Sequence, residues 1–194
     1  MENNELSFYV WIMIIIVCSF IGFVVENLWL TFRYGFMDNR NMNLPFLLGY
    51  GLAILFIYHV IGTPENKPDF KYFISVFLIV SLGEILLGHL VEEICGIYYW
   101  DYSSLPLHLT RYTDFFTSTG FALLITKFMR NVFPVIVDII NAIDSGFLHL
   151  LAMFGITALI IDYLISFTYM YKNRDFYRKW RFETGLDISS KLFK

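Results

Sequence analysis

Long apolar runs separated by short polar hinges set the rhythm of this 194-residue chain. Residues 8–32 form the first run, interrupted only by Glu26 and Asn27 and ended by the glycine-containing stretch RYGFMDNRN. Residues 45–61 form the second, and the turn GTPENKPDFK, with two prolines and a glycine, separates it from a third at 72–99. The polar loop WDYSSLPLHLTRYTD follows. A fourth run, 115–126, is short for a crossing and must recruit its neighbours, giving a helix over 112–132; a fifth occupies 147–171. Crossing a hydrocarbon layer about 30 Å thick takes about 20 apolar residues as helix, so the pattern predicts about five spans. Between the last two, PVIVDIINAIDS at 134–145 places Val135, Ile136, Ile139, Ile140 and Ile143 on one face and Asp138, Asn141 and Asp144 elsewhere, as in a helix lying in the interface. The predicted fold class is all-α: a polytopic transmembrane bundle in a single domain, residues 1–171, followed by a basic tail, 172–194.

Composition strengthens this reading. Hydrophobic residues make up 57% of the chain and charged ones only 16%, with a mean hydropathy of +0.60, well outside the range of soluble domains. With a formal charge of -3 and basic residues scattered until the tail, no nucleic-acid surface is expected. Cys18 and Cys95 fall inside predicted spans and read as small buried apolar residues. The acidic start MENNELSFYVW has no basic region or cleavage site of a signal peptide, so the first span is expected to be retained, and no lipidation motif is visible.

Lysine and arginine placement sets the orientation. Lys172, Arg174, Arg178, Lys179, Arg181, Lys191 and Lys194 are half of the 14 basic residues, so the tail is expected in the cytoplasm and, with five spans, the N-terminus outside. The loops 33–44 and 100–113 then join the tail, adding Arg33, Arg40 and Arg111, while Lys67, Lys71, Lys127 and Arg130 fall on the other side. A loose internal echo accompanies this topology: Glu26, Gly35 and Asn39-Arg40 in the first unit, Glu84, Gly96 and Trp100-Asp101 in the second.

The acids carry the chemistry. Glu26 in the first span, Glu84 in the third and Asp162 in the fifth sit deep in apolar helices, where a charge costs about 2.5 to 3.5 kcal/mol on insertion scales. Such groups face a bundle interior or a hydrated cavity, so all three are candidates for a solute or ion pathway; the competing reading is hydrogen-bonded helix glue. Glu92 and Glu93 lie nearer the boundary, and His89, one turn from Glu93, reads as its partner rather than as a metal ligand. Arg40 and Asp101, in loops brought to one side, suggest an ion pair capping the cavity. Tyr98, Tyr99, Trp100 and Tyr102 read first as interfacial anchors. An enzyme is not expected: VEEICG has only a partial likeness to the paired glutamates of intramembrane prenyl-protein endopeptidases, and P-loop, HExxH and GxSxG motifs are missing. Neither a cofactor nor a metal is implied.

The strings SFIGFVVEN, DNR, PFLLGYG, SLGEILLGHLVEE, WDYSSLPLHL and NVFP, in this order, resemble the small bacterial membrane proteins grouped as type IV ABC-transporter permeases. The resemblance runs from about Ser19 to Pro134, and its matching positions are Gly22, Glu26, Asn39, Arg40, Pro45, Tyr50, Gly51, Glu84, Trp100, Asp101, Tyr102, Ser103 and Pro106. Asn41 stands where a loop glycine is usual, Leu48 and Gly49 replace Pro-Ile, and His108 replaces an asparagine. The resemblance implies transport at a bacterial inner membrane, adds Tyr50 to the pathway candidates Glu26, Glu84 and Asp162, and makes Asn39, Arg40, Trp100, Asp101, Tyr102 and Ser103 the loop or gate.

The expectation is therefore a permease of a small solute, a cation being one candidate, or a proton-coupled one, its acids lining a polar cavity in the lipid bilayer, working as a homo-oligomer or with a separate ATP-binding subunit. The alternative is a non-transporting membrane sensor or assembly factor whose loops bind a protein partner.

Overall fold

A computed structural model of the chain describes residues 6–65 and 68–185; Met1 to Glu5, Lys67, Lys191 and Lys194 lie outside the described residues. The chain forms two compact units, one built from the residues up to Leu55 and from Ile143 onward, the other from Phe56 to Ala142.

In the first unit, α1 (Phe8–Tyr34) starts where the Ser7 hydroxyl accepts the Val10 amide at 3.4 Å. It stops at Gly35, whose left-handed backbone (φ 72°) returns its N–H to the Thr31 carbonyl. β1 (Phe36–Asp38) follows directly. α6 (Ser145–Asn173) starts on the Asp144 carboxylate, which accepts the Phe147 amide at 3.1 Å. The two helices run parallel: Tyr9 stacks near His149, ring centroids 3.8 Å apart, and Ile16 packs on Gly155. Their C-terminal ends thus lie together, and β4 (Arg181–Glu183) pairs antiparallel with β1, Met37 opposite Phe182 and Asp38 opposite Arg181.

α2 (Leu48–Ile61) begins against the middle of α1, not beyond its end. The Leu47 amide donates to the Ser19 carbonyl at 2.9 Å, and Gly51 sits where a side chain would collide with the Ile15 carbonyl and the Ser19 hydroxyl. The loop after β1 therefore reaches back to mid-helix depth, which accounts for a helix of only 14 residues where the apolar pattern predicts a span over 45–61.

The second unit repeats this plan. α3 (Asp69–Cys95) ends at Gly96, again left-handed at φ 67° and bonded back to the Glu92 carbonyl, so it closes earlier than the residue 99 predicted from apolarity. The following loop contains a small hairpin of β2 (His108–Thr110) and β3 (Thr113–Asp114). α4 (Phe115–Lys127) starts on Asp114, whose carboxylate accepts the Phe116 and Thr117 amides, both at 3.0 Å. It runs antiparallel to α3, from Ser118 beside Glu84 to Lys127 and Arg130 beside Asp69.

The chain then stays helical through a π-turn, Phe128–Val132, into α5 (Phe133–Asn141). The Phe133 amide reaches five residues back to the Phe128 carbonyl, and Pro134, which has no amide proton, sits in the first turn of α5. The break that the sequence places at Pro134 is thus a change of helical pitch, and α5 ends at Asn141, short of residue 145. Of its apolar residues Phe133 and Ile140 are buried, whereas Val135 and Ile139 are exposed.

Among the described residues, α1, α3 and α6 are long and apolar enough to cross a membrane. Leu78, Leu82, Leu86 and Leu90 form a stripe along α3, each more than half exposed, as suits a surface solvated by lipid tails. The all-helical, membrane-type architecture read from the apolar pattern is present.

Candidate functional site

Each unit holds a glutamate on its long helix, gripped by the loop that follows. In the first, Tyr50 packs against Gly22, where any Cβ would collide with the Cβ, Cγ and Cδ2 of the tyrosine, and its hydroxyl donates to Glu26 one turn further on. The other donor is Arg40, whose guanidinium lies 3.2 Å from the second Glu26 oxygen and 3.7 Å from Asp38. Glu26 and Arg40 are mostly enclosed, at 19% and 16% side-chain exposure. The local backbone explains how Arg40 gets there: Arg40 and Asn41 are both left-handed, φ 46° and 61°, and Asp38 Oδ1 accepts the Arg40 amide at 2.8 Å. Asparagine tolerates that conformation better than most side chains, the physical reason it can stand where a glycine is usual.

The same loop is fastened at two further points. Asp162, on α6 and only 5% exposed, accepts the backbone amides of Asn43 and Leu44 at 3.0 and 2.8 Å and the Asn43 side-chain amide at 2.6 Å. Asn39, 1% exposed, donates to the carbonyls of Met42 and Tyr177 at 2.8 Å and accepts the Lys179 amide at 3.0 Å. It stitches the loop to the chain beyond α6. Phe23, Asn39, Met42, Asn43, Leu44, Pro45 and Trp180 enclose a small cleft of about 230 Å³ beside this seam.

In the second unit, Glu84 accepts hydrogen bonds from Thr113 at 3.0 Å and Ser118 at 2.8 Å. Two turns on, the ring of Tyr112 lies against Gly88 and its hydroxyl donates to Glu92. His89 Nδ1 is 3.7 Å from the same carboxylate, and its ring meets Tyr112 edge-on at 4.9 Å. The Trp-Asp-Tyr-Ser residues bring Tyr112 to this place. The Trp100 indole donates to the Tyr112 carbonyl at 2.9 Å, and the Tyr102 amide to the Arg111 carbonyl at 2.8 Å. Asp101 holds the Ser103 amide at 2.8 Å and lies 3.7 Å from Arg111, which stacks on Tyr98 at 4.0 Å. Hydrogen bonds from Ser103, with a smaller contribution from Arg111, keep the Asp101 carboxyl below its usual range.

Several expectations change. Where the sequence suggests a pair between Arg40 and Asp101, each has a partner inside its own unit: Glu26 and Asp38 for Arg40, Arg111 for Asp101. His89 meets Glu92, not Glu93, because the loop draws the Glu92 carboxylate toward Tyr112. The local counterpart of Glu26 is Glu92, not Glu84: each accepts a tyrosine hydroxyl and follows the glycine under that ring by one turn. Glu26 and Asp162 belong to the first unit and Glu84 to the second, and each carboxylate has its own set of donors. Tyr112, Thr113, Ser118, Asn43 and Tyr177 are site residues that the sequence reading passed over. Of these only Tyr112 had a signal, an indirect one: the likeness of the two glycine-to-glutamate segments matches Glu92 to Glu26 and so calls for a second tyrosine.

A family model described as "Putative ABC-transporter type IV" matches residues 13–167, a stretch that holds both glutamate sites and most of α6. No curated protein and no solved structure matches the chain.

Proposed function

The chain belongs to the type IV ABC-transporter family, and from that premise we propose that it is the membrane component of a transporter whose exchangeable carboxylates take a small cationic solute or a proton. The observation that carries this reading is the setting of Glu26. A carboxylate deep in an apolar helix is balanced by a guanidinium that a loop delivers, with a phenol as its second donor. A cation or proton arriving at Glu26 takes over the charge that Arg40 supplies; Arg40 then leaves, and the loop that carries it is released. Binding is an exchange of one positive charge for another, so the low-dielectric site never holds an uncompensated carboxylate.

Glu84 fits the same role, because Thr113 and Ser118 hold it through side-chain hydroxyls that rotate away at small cost. Asp162 differs. Its donors include two backbone amides that have no water to turn to inside a bilayer, which makes it the fixed anchor of the loop. Asn39 and Arg40 in the first loop, and Trp100, Asp101, Tyr102 and Ser103 in the second, then form the moving parts, on the cytoplasmic side with the basic tail. The energy source is a separate ATP-binding subunit, and the bundle works as an oligomer or with that subunit.

Flux in proteoliposomes tests the assignment. The Glu26→Gln, Glu84→Gln double variant is expected to lose flux at least tenfold while still folding; unchanged flux overturns the role of the acids. A second reading, a non-transporting sensor or assembly factor, is favoured by the structural character of Asp162 and Asn39. Recovery of an unrelated enzyme or regulator with the chain, together with no flux, selects it.

A further inference from the structure

The segments FIGFVVEN, Phe20 to Asn27, and LLGHLVEE, Leu86 to Glu93, align without a gap. They share the glycine, the glutamate and the valine just before it, and every other position is apolar in both except Phe23 against His89 and Asn27 against Glu93. The three-dimensional setting repeats as well. In each, a tyrosine from the polypeptide after the helix lies on the glycine and gives its hydroxyl to the glutamate four residues on. Each long helix then ends on a left-handed glycine, Gly35 or Gly96, and each returning helix starts beside the middle portion of the long one. Sequence, contact and chain path agree. We propose that Gly88, Glu92 and Tyr112 form a second copy of the Gly22, Glu26, Tyr50 site and that Glu92 binds and releases a proton there, with His89 in the electrostatic place that Arg40 holds in the first copy.

The two copies differ in exposure, Glu26 and Arg40 at 19% and 16% against Glu92 and His89 at 35% and 60%, and in the group that faces the carboxylate. Arg40 remains charged at any physiological pH, so the first carboxylate faces a cation whenever its loop is seated. His89 is an imidazole on the helix itself, one turn before Glu92, and its charge is variable. The second copy therefore pairs its carboxylate with an imidazole where the first pairs its carboxylate with a guanidinium. The surroundings of the second copy are few and identifiable. On α3, Glu93 is exposed and Glu84 is engaged two turns away with Thr113 and Ser118. On the loop, Tyr112 makes the contact itself, and its neighbour Arg111 is turned to Tyr98 and Asp101. This assignment rests on the carboxylate-exchange reading given above, but its test needs no transport.

Dicyclohexylcarbodiimide attacks carboxylic acids in their protonated form and reaches them from apolar surroundings, so it reports proton occupancy site by site. The full-length protein in lipid nanodiscs is labelled across pH 5 to 9, digested, and the adducts on the peptides holding Glu26 and Glu92 are quantified by mass spectrometry. Both glutamates are expected to label as pH falls. Tyr112→Phe, which keeps the ring on Gly88 but removes the donor to the carboxylate, is expected to raise labelling at Glu92 three- to tenfold and to leave Glu26 unchanged; Tyr50→Phe does the reverse. His89→Gln raises labelling at Glu92 alone at the acidic end. Lack of label at Glu92, or labelling indifferent to both Tyr112→Phe and His89→Gln, overturns the second copy. Flux that survives loss of Glu26 and Glu84 beside a normal Glu92 response overturns the transport role and leaves the proton site standing.

Discussion

At the scale of single residues, two glycines and two aspartates carry the clearest consequences. Gly22→Ala puts a methyl group into the Tyr50 ring, whereas Gly49, on the same helix as Tyr50, has open space around its Cα. Gly22→Ala is therefore expected to cost about 1–3 kcal/mol through overpacking, and Gly49→Ala to be neutral or slightly stabilising; thermal unfolding in detergent separates the two. Asp162→Ala leaves the Asn43 and Leu44 amides without their acceptor, at about 1–3 kcal/mol for each buried unsatisfied donor. It is expected to lower the melting temperature by several degrees, and an unchanged one would show that the loop finds other acceptors. Asp101 gives a pH dependence. Its folded-state pKa lies below its usual value, so its contribution to the loop is present at neutral pH and is lost as pH falls through that lowered pKa. Trp100, held by the same loop, should change its fluorescence over that acidic range, and Asp101→Asn should remove the change. Glu26, Glu84 and Asp162 stood out in the sequence because burying charge in an apolar helix is costly. Which of them binds side chains and which binds backbone was not legible there, since every residue's amide looks alike in a sequence.

Among the elements, helix period and apolar length made α1, α3 and α6 readable to within a few residues at most of their ends. α2 and α4 were harder, because each has the apolar character of a crossing helix but starts beside the middle of its neighbour, a fact set by the path of the preceding loop. The strand pair β1 and β4 left no signal at all. Its partners are three-residue segments at opposite ends of the chain, joined by backbone hydrogen bonds and by Asn39. The pairing is testable by register. Met37→Cys with Phe182→Cys places two thiols directly across the ladder and is expected to form a disulfide under mild oxidation, while Met37→Cys with Glu183→Cys, one residue out of register and on the opposite face, is not. Cys18 and Cys95 are buried and should not compete. Equal cross-linking of both pairs would mean that the ribbon slips.

For the whole molecule, charge distribution gives an orientation that labelling can check. A membrane-impermeant maleimide is expected to reach Phe182→Cys from the cytoplasmic face, and reaction from the opposite face alone would invert the proposed topology. The exposed apolar faces of the long helices and the arginines and lysines after α6 were both legible, since they depend on composition rather than contacts. The division into two units was not, because only folding shows that the chain leaves the first unit at Leu55 and returns to it at Ile143. That return has a consequence for biosynthesis. A ribosome delivers α1 and its loop long before Asp162, Tyr177 and Lys179, the residues that secure that loop, whereas the intervening unit is contiguous and emerges with its partners close at hand. The contiguous unit can thus mature first, while the polar loop after α1 must be sheltered by the insertion machinery until α6 and the residues that follow it have been made.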